Sequence, residues 1–140
     1  MNMSYIVSTD KTRLDVALIH RFLSTESYWA LNIPIELVER AIRNSLCFGV
    51  YLDVEQVGFA RVITDEATFA YLADVFIVAE HRGRGLSKLL MQTISDYPAL
   101  QGLRRWVLAT RDAHSLYEQF GFTALDHPYI FMQRKLIERY

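Results

Sequence analysis

The chain has 140 residues, 51% of them hydrophobic and 22% charged, with a formal net charge of -1. This is the size and make-up of one ordinary globular domain, 1–140, long enough to bury a core, and it excludes a disordered chain. The charge gives no general attraction to nucleic acid or acidic membranes, the single cysteine, Cys47, excludes an internal disulfide, and no apolar run reaches the roughly 20 residues of a membrane span.

The first residues, Met1 to Tyr5, lack a basic region followed by an apolar run, so no signal peptide is read and the expected location is the cytoplasm. Tyr5-Ile6-Val7 reads as a short strand. Asp10 is placed to cap a helix carrying Leu14, Ala17, Leu18 and Phe22 at helical spacing. Ser24 to Ile33 has no clean period and holds Tyr28 and Trp29. Pro34 suits the first turn of a second helix with Leu37, Val38, Ala41 and Ile42 on one face.

The period then changes. Leu46 to Asp53 and Val57 to Ile63, joined by Val54-Glu55-Gln56, predict a hairpin, and Thr68 to Val78 predicts a long central strand. Ala79 to Gly85 is polar and carries glycine. The helix after it shows Leu86, Leu89, Leu90, Ile94 and Tyr97 on one side until Pro98 stops it. Trp106 to Ala109 reads as a fifth strand. Asp112 is placed to cap a short helix with Ala113, Leu116, Tyr117 and Phe120 on a face, closed by Gly121 in the left-handed region. Two final strands are expected near Phe122 to Leu125 and Tyr129 to Lys135. The order implies a mixed α/β sheet of six to seven strands with about four flanking helices, and the crossover helix makes the strands on either side of it parallel.

Arg82-Gly83-Arg84-Gly85-Leu86-Ser87 sits between a strand and an amphipathic helix. Glycines there let successive N–H groups turn toward an anion, the helix start favours negative charge, and Arg82 and Arg84 suit phosphate. The P-loop spacing GxxxxGK[ST] is absent. The dinucleotide spacing GxGxxG fails because Lys88 stands where the third glycine belongs. A plain polar connection between strand and helix is the bland alternative.

The run Asp74 to Ser87 resembles the acetyl-CoA-binding motif of the GNAT superfamily of N-acetyltransferases, with Arg82, Gly85 and Ser87 at the fixed positions and Ser87 in place of Gly or Ala. Asp112 to Phe122 resembles the second signature of that family, Ala-x-x-Leu-Tyr-x-x-x-Gly-Phe. The resemblance implies a centrally splayed sheet. It implies that the amides of Arg82, Gly83, Arg84, Gly85, Leu86 and Ser87 hold the CoA pyrophosphate, and that the pantetheine arm lies along Phe76, Ile77 and Val78. His114 would touch that arm, unless it is an ordinary exposed helix histidine.

The same resemblance makes Tyr117 the acid that protonates the leaving sulfur; by spacing alone Tyr117 reads as a core aromatic. A lysine-like amine has a pKa of about 10.4, so its deprotonation at neutral pH costs on the order of 4 kcal/mol and calls for a base. Diamine-type relatives carry Glu where this chain has Ala73. Asp74 is the acidic group left on the central strand, either the base or a carboxylate satisfied by backbone donors. Glu80 and His81 lie nearer the loop, and ordered water is a further route. Tyr28 and Trp29 are expected either to wall an acceptor pocket or to pack in the core. His20 and His127 have no partners at metal-ligand spacing, so no metal site is read.

The expected function is acetyl transfer from acetyl-CoA to a small-molecule or protein amine by direct attack in a ternary complex. The alternative is an acyl-CoA-binding or regulatory module without catalysis, which Ala73 favours and Tyr117 opposes. Neither a nucleic-acid nor a membrane partner is expected. The apolar C-terminal strands permit a homodimer.

Overall fold

A computed structural model describes residues 4–140; the N-terminal residues read above for a signal peptide fall largely outside them. The elements are β1 (Tyr5–Ser8), α1 (Val16–Thr25), α2 (Ile35–Arg43), β2 (Leu46–Leu52), β3 (Glu55–Thr64), β4 (Phe69–Ile77), α3 (Leu86–Asp96), β5 (Arg105–Leu108) and α4 (His114–Glu118). Their order along the chain is the expected one up to α4.

Helix starts are displaced from the expected caps for local reasons. Asp10 caps a single 3-10 turn by accepting from Thr12 N–H, and Asp15 caps α1 by accepting from Leu18 N–H at 3.0 Å. Pro34 precedes α2 directly, where its missing N–H costs nothing. The cap expected from Asp112 is not made: α4 starts from Ala113 with no side-chain cap, and just ahead of it the Ala113 N–H goes to Thr110 Oγ1 at 3.0 Å.

One sheet runs β1-β2-β3-β4-β5, antiparallel except for the parallel pair β4/β5, whose crossover is α3. Alternation along the strands divides the core into two layers. Phe48, Val50, Ala60, Val62 and Leu72 pack against Leu86, Leu90, Met91 and Ile94 of α3 on one face. Cys47, Phe59 and Phe76 meet Ile19, Phe22, Leu23, Val38 and Ile42 of α1 and α2 on the other, with the Phe22 and Phe76 rings stacked 4.0 Å apart. The hairpin between β2 and β3 turns on Asp53 and Val54, with Asp53 at φ 53°, one residue earlier than the composition suggested.

Two irregularities open the sheet where the site lies. Phe59 pairs with Phe76 but Arg61 pairs with Ala73, so β4 carries one extra residue there, a bulge in which Asp74 takes φ 55°. Beyond Leu72 and Leu108 the parallel pairing of β4 and β5 ends, while β4 continues to Ile77, so the two strands part.

The C-terminal expectation is corrected. Five strands are found among the described residues rather than six to seven, because neither Phe122 to Leu125 nor Tyr129 to Lys135 joins the sheet. Pro128 starts a 3-10 turn, Pro128–Ile130, and the apolar residues around it run consecutively rather than alternating. β-propensity reports how a segment behaves once something bonds its edge. Here nothing in the described chain does. No helix among the described residues is long and apolar enough to cross a membrane.

Candidate active site

The parting of β4 and β5 opens a cavity of about 640 Å3, and the elements around it each bring one kind of group. Its floor and far wall are apolar, supplied by residues such as Ile19, Leu23 and Val38 of α1 and α2. Its mouth is polar. Tyr28, Trp29, Asp74 and Tyr117, all singled out in the sequence, line it together, and Arg61 and Arg111 join them.

The connection between α1 and α2 is irregular yet fixed. Ser27, buried, accepts from Ala30 N–H at 3.0 Å and donates to the Leu23 carbonyl at 2.7 Å. His20 Nε2 meets the Ile33 carbonyl at 3.0 Å. These bonds present Tyr28 and Trp29 outward, edge to face with centroids 5.0 Å apart and about two-fifths exposed, as wall rather than core. Tyr28 Oη accepts from the Arg111 N–H at 2.9 Å, and the Arg111 guanidinium lies 3.8 Å over the Tyr28 ring, which ties the loop to the end of β5.

The bulge aims Asp74 at the same mouth. Its Oδ2 accepts from Arg61 Nε at 2.8 Å and its Oδ1 from Trp29 Nε1 at 2.8 Å, while Arg61 also donates to Ser45 Oγ at 3.0 Å. The carboxylate is held by side chains, not by the backbone donors considered from the sequence. Arg61 and Arg111 were not singled out in the sequence. Arg61 lies in a β-strand whose inward face depends on the bulge, and Arg111 lies in a loop, so neither had a periodic signal.

Tyr117 comes from the first full turn of α4 and is 8% exposed. Burial first, then Tyr28 and Asp112 nearby, push its phenol up to about 12. It therefore holds its proton firmly at neutral pH. Gly121, at φ 89°, ends the turn after α4 and lets Phe122 N–H reach the Tyr117 carbonyl at 3.2 Å, which explains the Tyr-x-x-x-Gly-Phe spacing locally.

The glycine loop lies apart from this cavity, at the end of β4. Gly83 and Gly85 adopt φ 77° and 75°, and a Cβ on either would meet nothing within 4 Å, so the space before their amides is open. Gly85 is the N-cap of α3 and no side chain caps that helix start. Arg82 Nε donates to the Ile77 carbonyl at 2.9 Å and Arg84 reaches Tyr5 Oη at 3.0 Å, so both side chains flank the loop. The β4 edge toward β5, from Ala73 to Ile77, has no strand partner among the described residues. His114 opens α4, exposed, and does not line the cavity.

A family model described as acetyltransferase (GNAT) domain matches residues 43–124. A Gibberella zeae protein described as an acetyltransferase is 38% identical over 135 residues, covering 81% of this chain and 75% of its own. A crystal structure from Xanthomonas campestris pv. campestris, of a protein assigned to the GNAT family of acetyltransferases, is 56% identical and covers 96% of each chain with a TM-score of 0.94. Glucosamine-6-phosphate N-acetyltransferase from Arabidopsis thaliana shares the fold at a TM-score of 0.66 and 14% identity, over 96% of this chain and 99% of that one.

Proposed function

The chain belongs to the GNAT family of acetyltransferases, and from that premise we propose that it transfers an acetyl group from acetyl-CoA to an amine by direct attack in a ternary complex. The observation that carries the reading is a protonated, buried tyrosine, Tyr117, at the wall of a cavity opened where β4 and β5 part.

The uncapped amides at the start of α3, with Gly83 and Gly85 leaving the space before them open, suit a diphosphate, and Arg82 and Arg84 add charge beside it. Bound acetyl-CoA would supply an activated thioester. The unpaired edge of β4, reaching Phe76 and Ile77, offers backbone groups to an extended pantetheine arm in the manner of an added strand, while the Val78 N–H is already taken by the Val57 carbonyl at 2.9 Å. An N–H on that edge also suits the carbonyl oxygen as negative charge develops on it.

The neutral amine nitrogen attacks the carbonyl carbon, a C–N bond forms and the C–S bond breaks. Tyr117 gives its phenolic proton to the departing sulfur and regains one from solvent. The proton released from nitrogen leaves through water. Asp74 already accepts two side-chain hydrogen bonds, so in this reading it positions Trp29 and Arg61 rather than taking the proton. Tyr28 and Trp29 receive the acceptor, and the apolar wall behind them suits an amine with a hydrocarbon or aromatic body.

Free CoA released with a panel of such amines, for wild type and Tyr117→Phe, tests the reading. Turnover in the wild type that falls roughly 100-fold or more in the variant, with acetyl-CoA affinity retained, is expected. Acetyl-CoA binding without transfer to any amine across the pH range would replace it with a binding module.

A further inference from the structure

We propose, resting on the acetyl-transfer reading above, that the acceptor is an apolar or aromatic amino acid, with its carboxylate on the Arg111 guanidinium, its amine toward Tyr117 and its side chain on the apolar floor. The charged side chains lining the cavity are those of Arg61, Asp74, Arg111 and Asp112. Arg61 and Asp74 answer each other at 2.8 Å, and the second oxygen of Asp74 is taken by Trp29. Neither oxygen of that carboxylate is left over for an incoming cation.

Arg111 is fixed in place but lacks an anion. Its backbone N–H donates to Tyr28 Oη at 2.9 Å and its guanidinium lies 3.8 Å over the Tyr28 ring, so one tyrosine holds the residue at both ends. The N–H groups of a guanidinium lie in its own plane, so contact through its face leaves them clear for a carboxylate. Among the described residues no carboxylate forms an ion pair with Arg111, neighbouring Asp112 included, and no acceptor takes its side-chain N–H groups. A fork held in this way is pre-organised for two parallel bonds to one carboxylate.

The opposite charge stands where the amine must arrive. Burial, then Tyr28, then Asp112 hold the proton on Tyr117, so the field of Asp112 reaches the acid. Adjacent residues of opposite sign thus meet the two ends of one molecule: Arg111 the carboxylate, Asp112 the positive charge that develops on nitrogen as it attacks. Tyr28 lies under Arg111 and close enough to Tyr117 to influence it. The anion site and the acid therefore flank a single side chain, which suits a carboxylate near the amine rather than at the end of a long chain. Behind them Ile19, Leu23, Val38, Ile42 and Phe59 offer only hydrocarbon, and a cavity of about 640 Å3 has room for an aromatic side chain. The bonds made and broken remain those of acetyl transfer, and the carboxylate is unchanged by it.

Matched acceptors that differ only in the carboxylate test this: phenylalanine against phenethylamine, and leucine against 3-methylbutylamine. Wild type is expected to favour the amino acid in kcat/KM by at least about tenfold, and Arg111→Gln to bring that ratio to about one. Arg111→Lys restores part of it. A residue that only braced the loop would lower both members of a pair together and leave their ratio alone. Calorimetry with 3-phenylpropanoate, the acid without the amine, reads the same anchor with no transfer, and its Kd is expected to rise at least about tenfold in Arg111→Gln. A wild type that favours the bare amines, a ratio unmoved by Arg111→Gln, or no Arg111-dependent binding of 3-phenylpropanoate would each overturn the proposal, and acetyl transfer to bare amines would still stand. Arg111-dependent binding of the acid without transfer to any acceptor would instead overturn acetyl transfer and leave the carboxylate site standing.

Discussion

Trp29 Nε1 and Asp74 Oδ1 meet at 2.8 Å across 45 positions of sequence, and this contact joins the loop between the first two helices to the bulge of the central strand. Each residue alone is unremarkable; together with Arg61 on the second oxygen they make a fixed polar rim over an apolar cavity.

That rim predicts a split between substitutions of Asp74. Asp74→Ala strips Arg61 of its partner in a mostly buried setting and puts at φ 55° a residue that tolerates the left-handed region less well than aspartate, so unfolding free energy falls by about 3 kcal/mol. Asp74→Asn keeps an acceptor for Trp29 and loses less. With Asp74 as a positioning residue, both variants raise the KM for the amine more than they lower kcat. A loss of kcat alone in Asp74→Asn, with the alkaline limb of the pH profile intact, would assign it the proton instead.

Gly85→Asp separates cofactor binding from folding. The new Cβ meets nothing within 4 Å, and aspartate is among the residues that tolerate a left-handed φ best, so the strain at φ 75° lowers the unfolding free energy in urea by only about 1–2 kcal/mol and the protein stays folded. A carboxylate at the start of α3 opposes a diphosphate. Calorimetry with CoA is expected to show a Kd raised at least tenfold, and an unchanged Kd refutes the anion cradle.

Gly58 predicts the opposite pattern. A Cβ there would stand 2.6 Å from Ile77 Cδ1 and 3.1 Å from the Phe76 carbonyl oxygen. Gly58→Ala therefore destabilises by about 1–3 kcal/mol, measured by urea unfolding. Because the push falls on Phe76 and Ile77, acetyl-CoA affinity drops with it.

Cys47, buried beneath α2, has its thiol pushed up to about 11 from 9.0, mainly by desolvation. Below pH 9 the thiol is protonated in both states and contributes its full stabilisation. Between about 9 and 11 the unfolded chain loses the proton first, so stability falls as pH rises, by about 2–3 kcal/mol in all. Cys47→Val removes that part of the slope in unfolding curves measured from pH 8 to 11. An identical slope in the variant would place the alkaline loss on other groups.

The order of elements up to α4 was legible in the sequence, because each rests on a local signal: the helical spacing of Leu86, Leu90 and Ile94, the apolar run from Phe69 to Ile77, proline before α2, glycine after α4. The glycine loop and the Tyr-x-x-x-Gly-Phe turn were legible for the same reason, since a left-handed φ at Gly85 or Gly121 is a property of one residue. What the tertiary structure alone decided depends on pairing between distant segments. The bulge at Asp74 exists only in register with Arg61 on the next strand, so the two partners of that carboxylate carried no trace in its neighbours. The C-terminal arm makes the same point from the other side: its residues have strand propensity, but a strand exists only where its backbone bonds to an edge, and among the described residues the arm bonds to none.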